Sequence, residues 1–131
     1  MPFAMSYDPN HRVLLVKFGK KLTLTSYRTM VAAVRQFVER SGMCHAIADF
    51  SGVEEFGLDL EFFRRLAQAP PVLLDQKRVL VAPSDEIFGM LRLFATHQSA
   101  TGSEPMVVRT LVEALEYLGI VAPAFQPVPS K

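Results

Sequence analysis

Short apolar runs alternate along the chain with segments whose apolar residues recur every three or four positions, which predicts strands interleaved with helices. Phe3 to Tyr7 fits a short edge strand. Asp8-Pro9-Asn10-His11 fits a tight turn, because proline fixes φ while Asp and Asn accept turn geometry. Arg12 to Phe18 is rich in β-branched and long apolar residues and completes a hairpin, which Gly19-Lys20-Lys21 ends. With Thr25 or Ser26 as its cap, a first helix runs to about Arg40. Met30, Val31, Val34, Phe37 and Val38 form its buried stripe, Arg28, Arg35, Gln36 and Glu39 lie on the other side, and Gly42 stops it.

His45 to Phe50 is a further apolar strand, followed by a loop from Ser51 to Gly57. A second helix is expected over Leu58 to Gln68, with Phe62, Phe63, Leu66 and Ala67 inward, and Pro70-Pro71 ends it. Lys77 to Ala82 is the next strand. Pro83-Ser84-Asp85-Glu86 starts a third helix, with Ser84 as cap and two carboxylates in the positive first turn. That helix buries Ile87, Phe88, Leu91, Phe94 and Ala95, runs to about Ser99, and is closed by Gly102. Met106 to Arg109 is a last short strand. Thr110 with Glu113 three residues on is a capping box, so a final helix spans Leu111 to Leu118 and Gly119 stops it. From Val121 to Lys131 the chain carries Pro123, Pro127 and Pro129 and should be extended or mobile.

The order β-β-α-β-α-β-α-β-α implies an α/β fold: a single-domain mixed sheet that begins with an antiparallel hairpin and continues as parallel strands covered by about four helices. The domain is expected over residues 1–120, with 121–131 as a Pro-rich tail. Ligands of such sheets usually sit beyond the carboxyl ends of the strands, here Asp49-Phe50-Ser51-Gly52, Ala82-Pro83-Ser84 and Arg109-Thr110.

Composition narrows the possibilities. The 131 residues are half apolar, which excludes intrinsic disorder and fits one domain. A balance of 14 Lys+Arg against 13 Asp+Glu gives a net charge of +1 and no basic surplus for a nucleic-acid partner. The single Cys44 rules out a disulfide framework and a multi-thiolate zinc site. Its solitude, with no signal-peptide pattern and no apolar run long enough to span a bilayer, leads to the expectation of a cytoplasmic protein without a transmembrane segment.

Candidate chemistry is sparse. Cys44 and His45 are adjacent, and neighbours on a strand point to opposite faces, so Cys44 reads as a buried filler and His45 as a strand-start residue. His11, His45 and His97 lack ligand spacing, so no metal and no cofactor is expected. No G-x-G-x-x-G or P-loop is present to cradle a nucleotide. Asp49, at the carboxyl end of a strand, either accepts N–H groups of the loop that follows or serves a site. Arg92 either packs at the rim of the core or meets an anion or a partner. In Glu54-Glu55-Phe56-Gly57-Leu58, Phe56 either anchors a partner from an exposed loop or folds back onto the second helix.

Ala48-Asp49-Phe50-Ser51-Gly52-Val53-Glu54 resembles the Asp-hydrophobic-Ser-Gly-Val segment of STAS domains, the SpoIIAA-like anti-sigma-factor antagonists. The element order is similar to that family's, as are Val81 to Arg92 and the closing strand and helix from Val107 to Leu118. The likeness covers roughly residues 3 to 118. Signalling members carry a phosphorylated serine in an Asp-Ser-Ser-Gly-like stretch at the start of the second helix. This chain has Gly57-Leu58-Asp59-Leu60 there, with no hydroxyl to accept phosphate and with Asp59 placed to cap the helix.

The resemblance implies a bacterial, non-catalytic regulatory or protein-interaction module without the family's phosphoserine. It would meet a protein partner or a second copy of itself through Asp49, Ser51, Glu54, Glu55, Phe56, Leu58 and Arg92. Two rivals stand beside it. One is a protein that holds a small apolar, lipid-like ligand among its ten Phe and six Met residues. The other is an enzyme using Asp49 with Arg92 or His45, which requires those groups to converge.

Overall fold

Period-two alternation places the sheet between two apolar layers. In the computed structural model, residues 3–57, 59, 61, 76–98 and 104–129 are described. The elements are β1 (Phe3–Asp8), β2 (Val13–Phe18), β3 (Lys21–Leu22), α1 (Leu24–Ser41), β4 (His45–Asp49), β5 (Glu55–Phe56), β6 (Arg78–Val81), α2 (Asp85–Gln98), β7 (Met106–Val108), α3 (Leu111–Leu118) and β8 (Gln126–Val128). Among the described residues there are thus three helices. Of the helix expected over Leu58 to Gln68, only Asp59 and Glu61 are described, Glu61 as helix; Leu58, Phe62, Phe63, Leu66 and Ala67 lie outside the described residues, as does Gly102.

The main sheet runs in the order β7-β6-β4-β2-β1-β8. β1 and β2 form the expected antiparallel hairpin, with Phe3 opposite Phe18 and Asp8 opposite Val13. β2, β4, β6 and β7 are mutually parallel and lie side by side in chain order. Parallel strands added one place at a time, each by a crossover of the usual hand, put their crossover helices on one face. Accordingly, Val34 and Phe37 of α1 and Ile87, Leu91, Phe94 and Ala95 of α2 share one core with Leu14, Val16 and Phe18. Residues one position out of phase, Val13, Ile47, Val79 and Val81, face the other way and meet Ala114, Leu111, Leu115 and Leu118 of α3. Val13, Leu14, Ile47 and Val79 are completely shielded from solvent. Burying side chains of this size contributes about 1.5–3 kcal/mol each.

The helix ends show how local chemistry sets the boundaries. α1 is capped by Thr23, two residues before the expected Thr25. Its side chain accepts the Ser26 N–H at 3.1 Å, and the Thr23 N–H donates to Ser26 Oγ at 2.9 Å. Ser26 is therefore the third-position partner of a capping box rather than the cap. The box at Thr110 and Glu113 forms as its spacing predicts, and Gly119 closes α3 in the left-handed conformation at φ +71°.

The segment after α3 is not helical, as its prolines predict, and its residues 126–128 join the sheet, which the sequence reading did not anticipate. Ile120 and Phe125 pack on the α3 side of the sheet. Gln126 to Val128 then pair antiparallel with Met5 to Tyr7 as the sixth strand. Proline is tolerated there because β8 is an edge strand, one side of which has no partner strand needing its N–H.

A buried carboxylate ties this segment down. Asp8 is fully shielded. Its Oδ1 accepts the N–H groups of Asn10 and His11 at 2.9 and 3.3 Å, closing the turn between β1 and β2. Its Oδ2 accepts the Ala124 N–H at 3.0 Å and His11 Nδ1 at 2.7 Å. The Ala124 amide is the main influence holding the Asp8 carboxyl below its usual 3.8, at about 2. Burial opposes it, and His11 and Asn10 reinforce it. The native state therefore favours the ionised form. The stability this provides is complete above about pH 4 and disappears as the pH falls from there to about 2. Acid titration followed by far-UV circular dichroism and by amide exchange along β1 should show that loss, and Asp8→Asn should remove that component of the pH dependence while weakening the β1–β8 pairing.

Candidate functional site at the carboxyl edge of the sheet

The carboxyl ends of the parallel strands meet a loop that the backbone holds firmly. Asp49 ends β4, is only 5% exposed, and its Oδ1 accepts the Ser51 N–H at 2.8 Å. That is an Asx turn, in which a short carboxylate starts the loop by binding the amide two residues on. The Phe50 N–H donates to Val81 O at 2.9 Å, extending the ladder one step past the strand. Beyond the turn, the Glu54 and Glu55 N–H groups both donate to Lys20 O, at 2.7 and 2.9 Å. β5 then pairs parallel with β3, with Lys21 beside Glu55 and Leu22 beside Phe56. The Gly57 N–H closes the pairing on Leu22 O at 2.8 Å.

Gly57 is needed for this approach. A Cβ there would lie 2.8 Å from the Leu22 carbonyl oxygen, inside van der Waals contact with rigid backbone. Leu22 itself is completely buried, so the carbonyl has little room to retreat.

Phe56 folds inward. It is half-buried, and its ring lies 6.5 Å from that of Phe50, which in turn lies 4.8 Å from Phe18. Packing against the core fits this position better than an exposed anchor; the second helix, onto which the sequence reading folds Phe56, lies outside the described residues apart from Asp59 and Glu61. What the loop offers to solvent is polar: Ser51, Glu54 and Glu55 are exposed. The Lys21–Glu55 ion pair at 3.9 Å joins two largely exposed side chains and adds little stability.

The remaining candidates separate. Asp49 has the same phase as Ile47 and faces the α3 layer, whereas Arg92 belongs to α2 on the opposite layer. His45 shares the Asp49 face but begins the strand that Asp49 ends, about 13 Å away at the strand rise per residue. Its Nδ1 accepts the Lys77 N–H at 3.0 Å. Burial, followed by the charges of Lys77 and Arg12, pushes the imidazole below its usual value, which keeps it neutral. Burial also pushes the Cys44 thiol up, so it behaves as the filler its position predicts. The geometry does not bring Asp49, His45 and Arg92 together as the enzyme reading requires.

Arg92 is exposed, sits over the Phe88 ring at 5.9 Å, and lines a cleft of about 380 Å³ with Glu104, Met106 and Tyr117 beside β7. This cleft mixes charged, phenolic and thioether groups. Many of the Phe and Met residues proposed for a lipid-like pocket, including Phe3, Met5, Phe18, Phe37, Phe50 and Phe94, are instead packed in the core.

One cluster at the same edge escaped sequence reasoning. Arg109 stacks on Phe88 with its guanidinium carbon 3.9 Å from the ring centre, and its NH1 group donates to Asp85 Oδ1 at 2.7 Å and to Pro83 O at 3.2 Å. It clamps the end of β7 to the start of α2. No spacing signal joins Phe88 and Arg109, which come together only through the β6-α2-β7 crossover.

Among the described residues, no group of three or more His, Cys, Asp or Glu side chains is arranged to hold a metal, and no helix is long and apolar enough to cross a membrane. The fold defines an α/β protein with a mixed sheet and a backbone-braced loop at its carboxyl edge. No protein-family model matches the chain, and no curated protein matches it.

Two glycine substitutions separate bracing from ordinary helix propensity. Gly57→Ala should cost about 1–3 kcal/mol in denaturant unfolding, because the new methyl group meets backbone. Gly89→Ala, within α2 and with nothing within 4 Å of the added carbon, should stabilise by about 0.5–1 kcal/mol.

Proposed function

We propose that the protein is a non-catalytic, STAS-like regulatory or interaction module that works in the cytoplasm and meets a protein partner through the loop from Ser51 to Gly57. The observation that carries this reading is the bracing of that loop. Two strands too short to stabilise the sheet, β3 and β5, fix it at the carboxyl edge and leave Ser51, Glu54 and Glu55 outward. A preorganised loop loses less conformational entropy on binding than a free one, which favours recognition. The arrangement of parallel strands in chain order, with α1 and α2 on one face, supports the SpoIIAA-like part of the reading.

In this reading Asp49 and Phe56 position the loop from below, and the two exposed glutamates make the contact, so the partner presents a basic surface. Leu58 lies outside the described residues. Arg92 lies on the other layer and belongs to a separate surface. The family's switch is replaced by a fixed acidic character, since no hydroxyl stands in Gly57-Leu58-Asp59-Leu60 to be phosphorylated.

The test is affinity capture with the wild-type chain and with a Glu54→Arg/Glu55→Arg double variant, compared by quantitative mass spectrometry. A specific partner should be recovered by the wild type and reduced roughly tenfold or more by the charge reversal, with the unfolding midpoint unchanged because both side chains are exposed. Equal recovery by both chains would contradict the proposal. Phe56→Ala should instead lower stability by about 1–3 kcal/mol, as expected for truncating a half-buried ring.

A further inference from the structure

We propose that β8 is an exchangeable edge strand, and that the outer edge of β1 accepts the β8 strand of a second copy of this chain to form a strand-swapped dimer. The pairing of β8 with β1 is short: three residues, Gln126–Val128, of which Pro127 has no N–H to give. β1 is six residues long, so its outer edge is paired over only half its length. Beyond the ladder, the strand is held by the bond from the Ala124 N–H to the buried Asp8 carboxylate and by two partly buried side chains, Phe125 and Val128.

The connection that returns the chain from α3 to this edge carries the marks of a hinge. Residues 119–125 cross the α3 side of the sheet, with residues 121–124 all exposed. Two of them hold left-handed backbone, Gly119 at φ +71° and Ala122 at φ +53°. For alanine that conformation is strained by its Cβ, and the strain is relieved when the segment straightens. Pro123 follows directly and stiffens the straightened form. Fully extended, the five residues 119–123 that precede the exchanged segment reach roughly 16–18 Å, enough to hand β8 to an abutting molecule.

The occupant that suits the vacated edge is set by the edge itself. It must run antiparallel to β1, tolerate a missing donor opposite Ser6, and present a backbone N–H to Asp8 two residues before its first pair. A second copy's residues 124–128 meet all these requirements, and they also bring Phe125 to the apolar layer around Leu15. Reciprocal exchange therefore keeps every contact of the closed monomer, and only the hinge changes.

Ser6 and Pro127 face each other across the pair. Directly opposed strand residues lie about 4.5–5.5 Å apart at Cα, within disulfide range. The experiment mixes full-length S6C and P127C chains that differ in mass, concentrates them, incubates them near the unfolding midpoint, returns them to native conditions, and oxidises them mildly with oxidised glutathione. Native Cys44 is 1% exposed and stays out of the reaction. The inter-chain disulfide between S6C and P127C should exceed that from a mixture of S6C with E116C, a surface control, by roughly tenfold, because pairing raises the local thiol concentration. Parity with that control would overturn the proposal, provided an S6C/P127C double variant closes its disulfide within one chain and so shows that the pairing survives substitution. The unmodified chain gives an independent reading. After the same incubation, light scattering should find a species of twice the monomer mass that persists on dilution, and a monomer alone would overturn the proposal.

Discussion

β2 is the strand on which the molecule is organised. It is hydrogen-bonded on both sides, antiparallel to β1 and parallel to β4, and its side chains enter both apolar layers. A one-residue slip would send Leu14, Val16 and Phe18 to the α3 layer and Val13 and Leu15 to the α1–α2 layer, exchanging two sets of different size. Because the hairpin reverses direction before β2, the parallel strands β4, β6 and β7 all grow from the same side of it. Chain-order growth puts α1 and α2 on one face, which leaves the other face for α3 and for the segment that returns to β1.

The same geometry produces the loop at the carboxyl edge. β2 and β4 both end there, so the residues that follow them, β3 and the segment after Asp49, leave the sheet as neighbours. They pair again as β3 and β5 because Lys20 and Leu22 supply carbonyls where Glu54, Glu55 and Gly57 supply amides. Asp49 turns the chain into that position, Phe50 and Phe56 fill the space beneath it, and Gly57 permits the close approach. A loop fixed by backbone bonds on one side and aromatic packing below keeps its exposed carboxylates in one arrangement, the property an interaction surface needs.

Much of this was legible in the residues. The long apolar patterns identified β1, β2, β4, β6, β7 and the three described helices, and the Thr110–Glu113 spacing placed the start of α3 correctly. The Thr23–Ser26 box carries no Glu or Gln at its third position, so the sequence places the cap at Thr25 or Ser26, two or three residues late. β3, β5 and β8 were not legible, since strands of two or three residues carry no periodicity and exist only because a partner strand lies beside them. Asp49's role as a turn-former was foreseen among its alternatives. Asp8 was read as a turn residue and is one, but its bond to Ala124 spans most of the chain and leaves no local trace. The Arg109–Phe88 stack is invisible for the same reason. The sequence allows Arg92, inside α2, to pair with a carboxylate such as Asp49 at the end of β4, and the sheet that separates them appears only in three dimensions.

The β3–β5 pairing holds the loop from Ser51 to Gly57 in one conformation. Residue-resolved amide hydrogen exchange by nuclear magnetic resonance tests it most directly, through the Glu54, Glu55 and Gly57 amides. Slow exchange at all three, lost together when Gly57 is replaced by Ala, is the predicted result. Exchange at the rate of an unstructured peptide in the wild-type chain would contradict it.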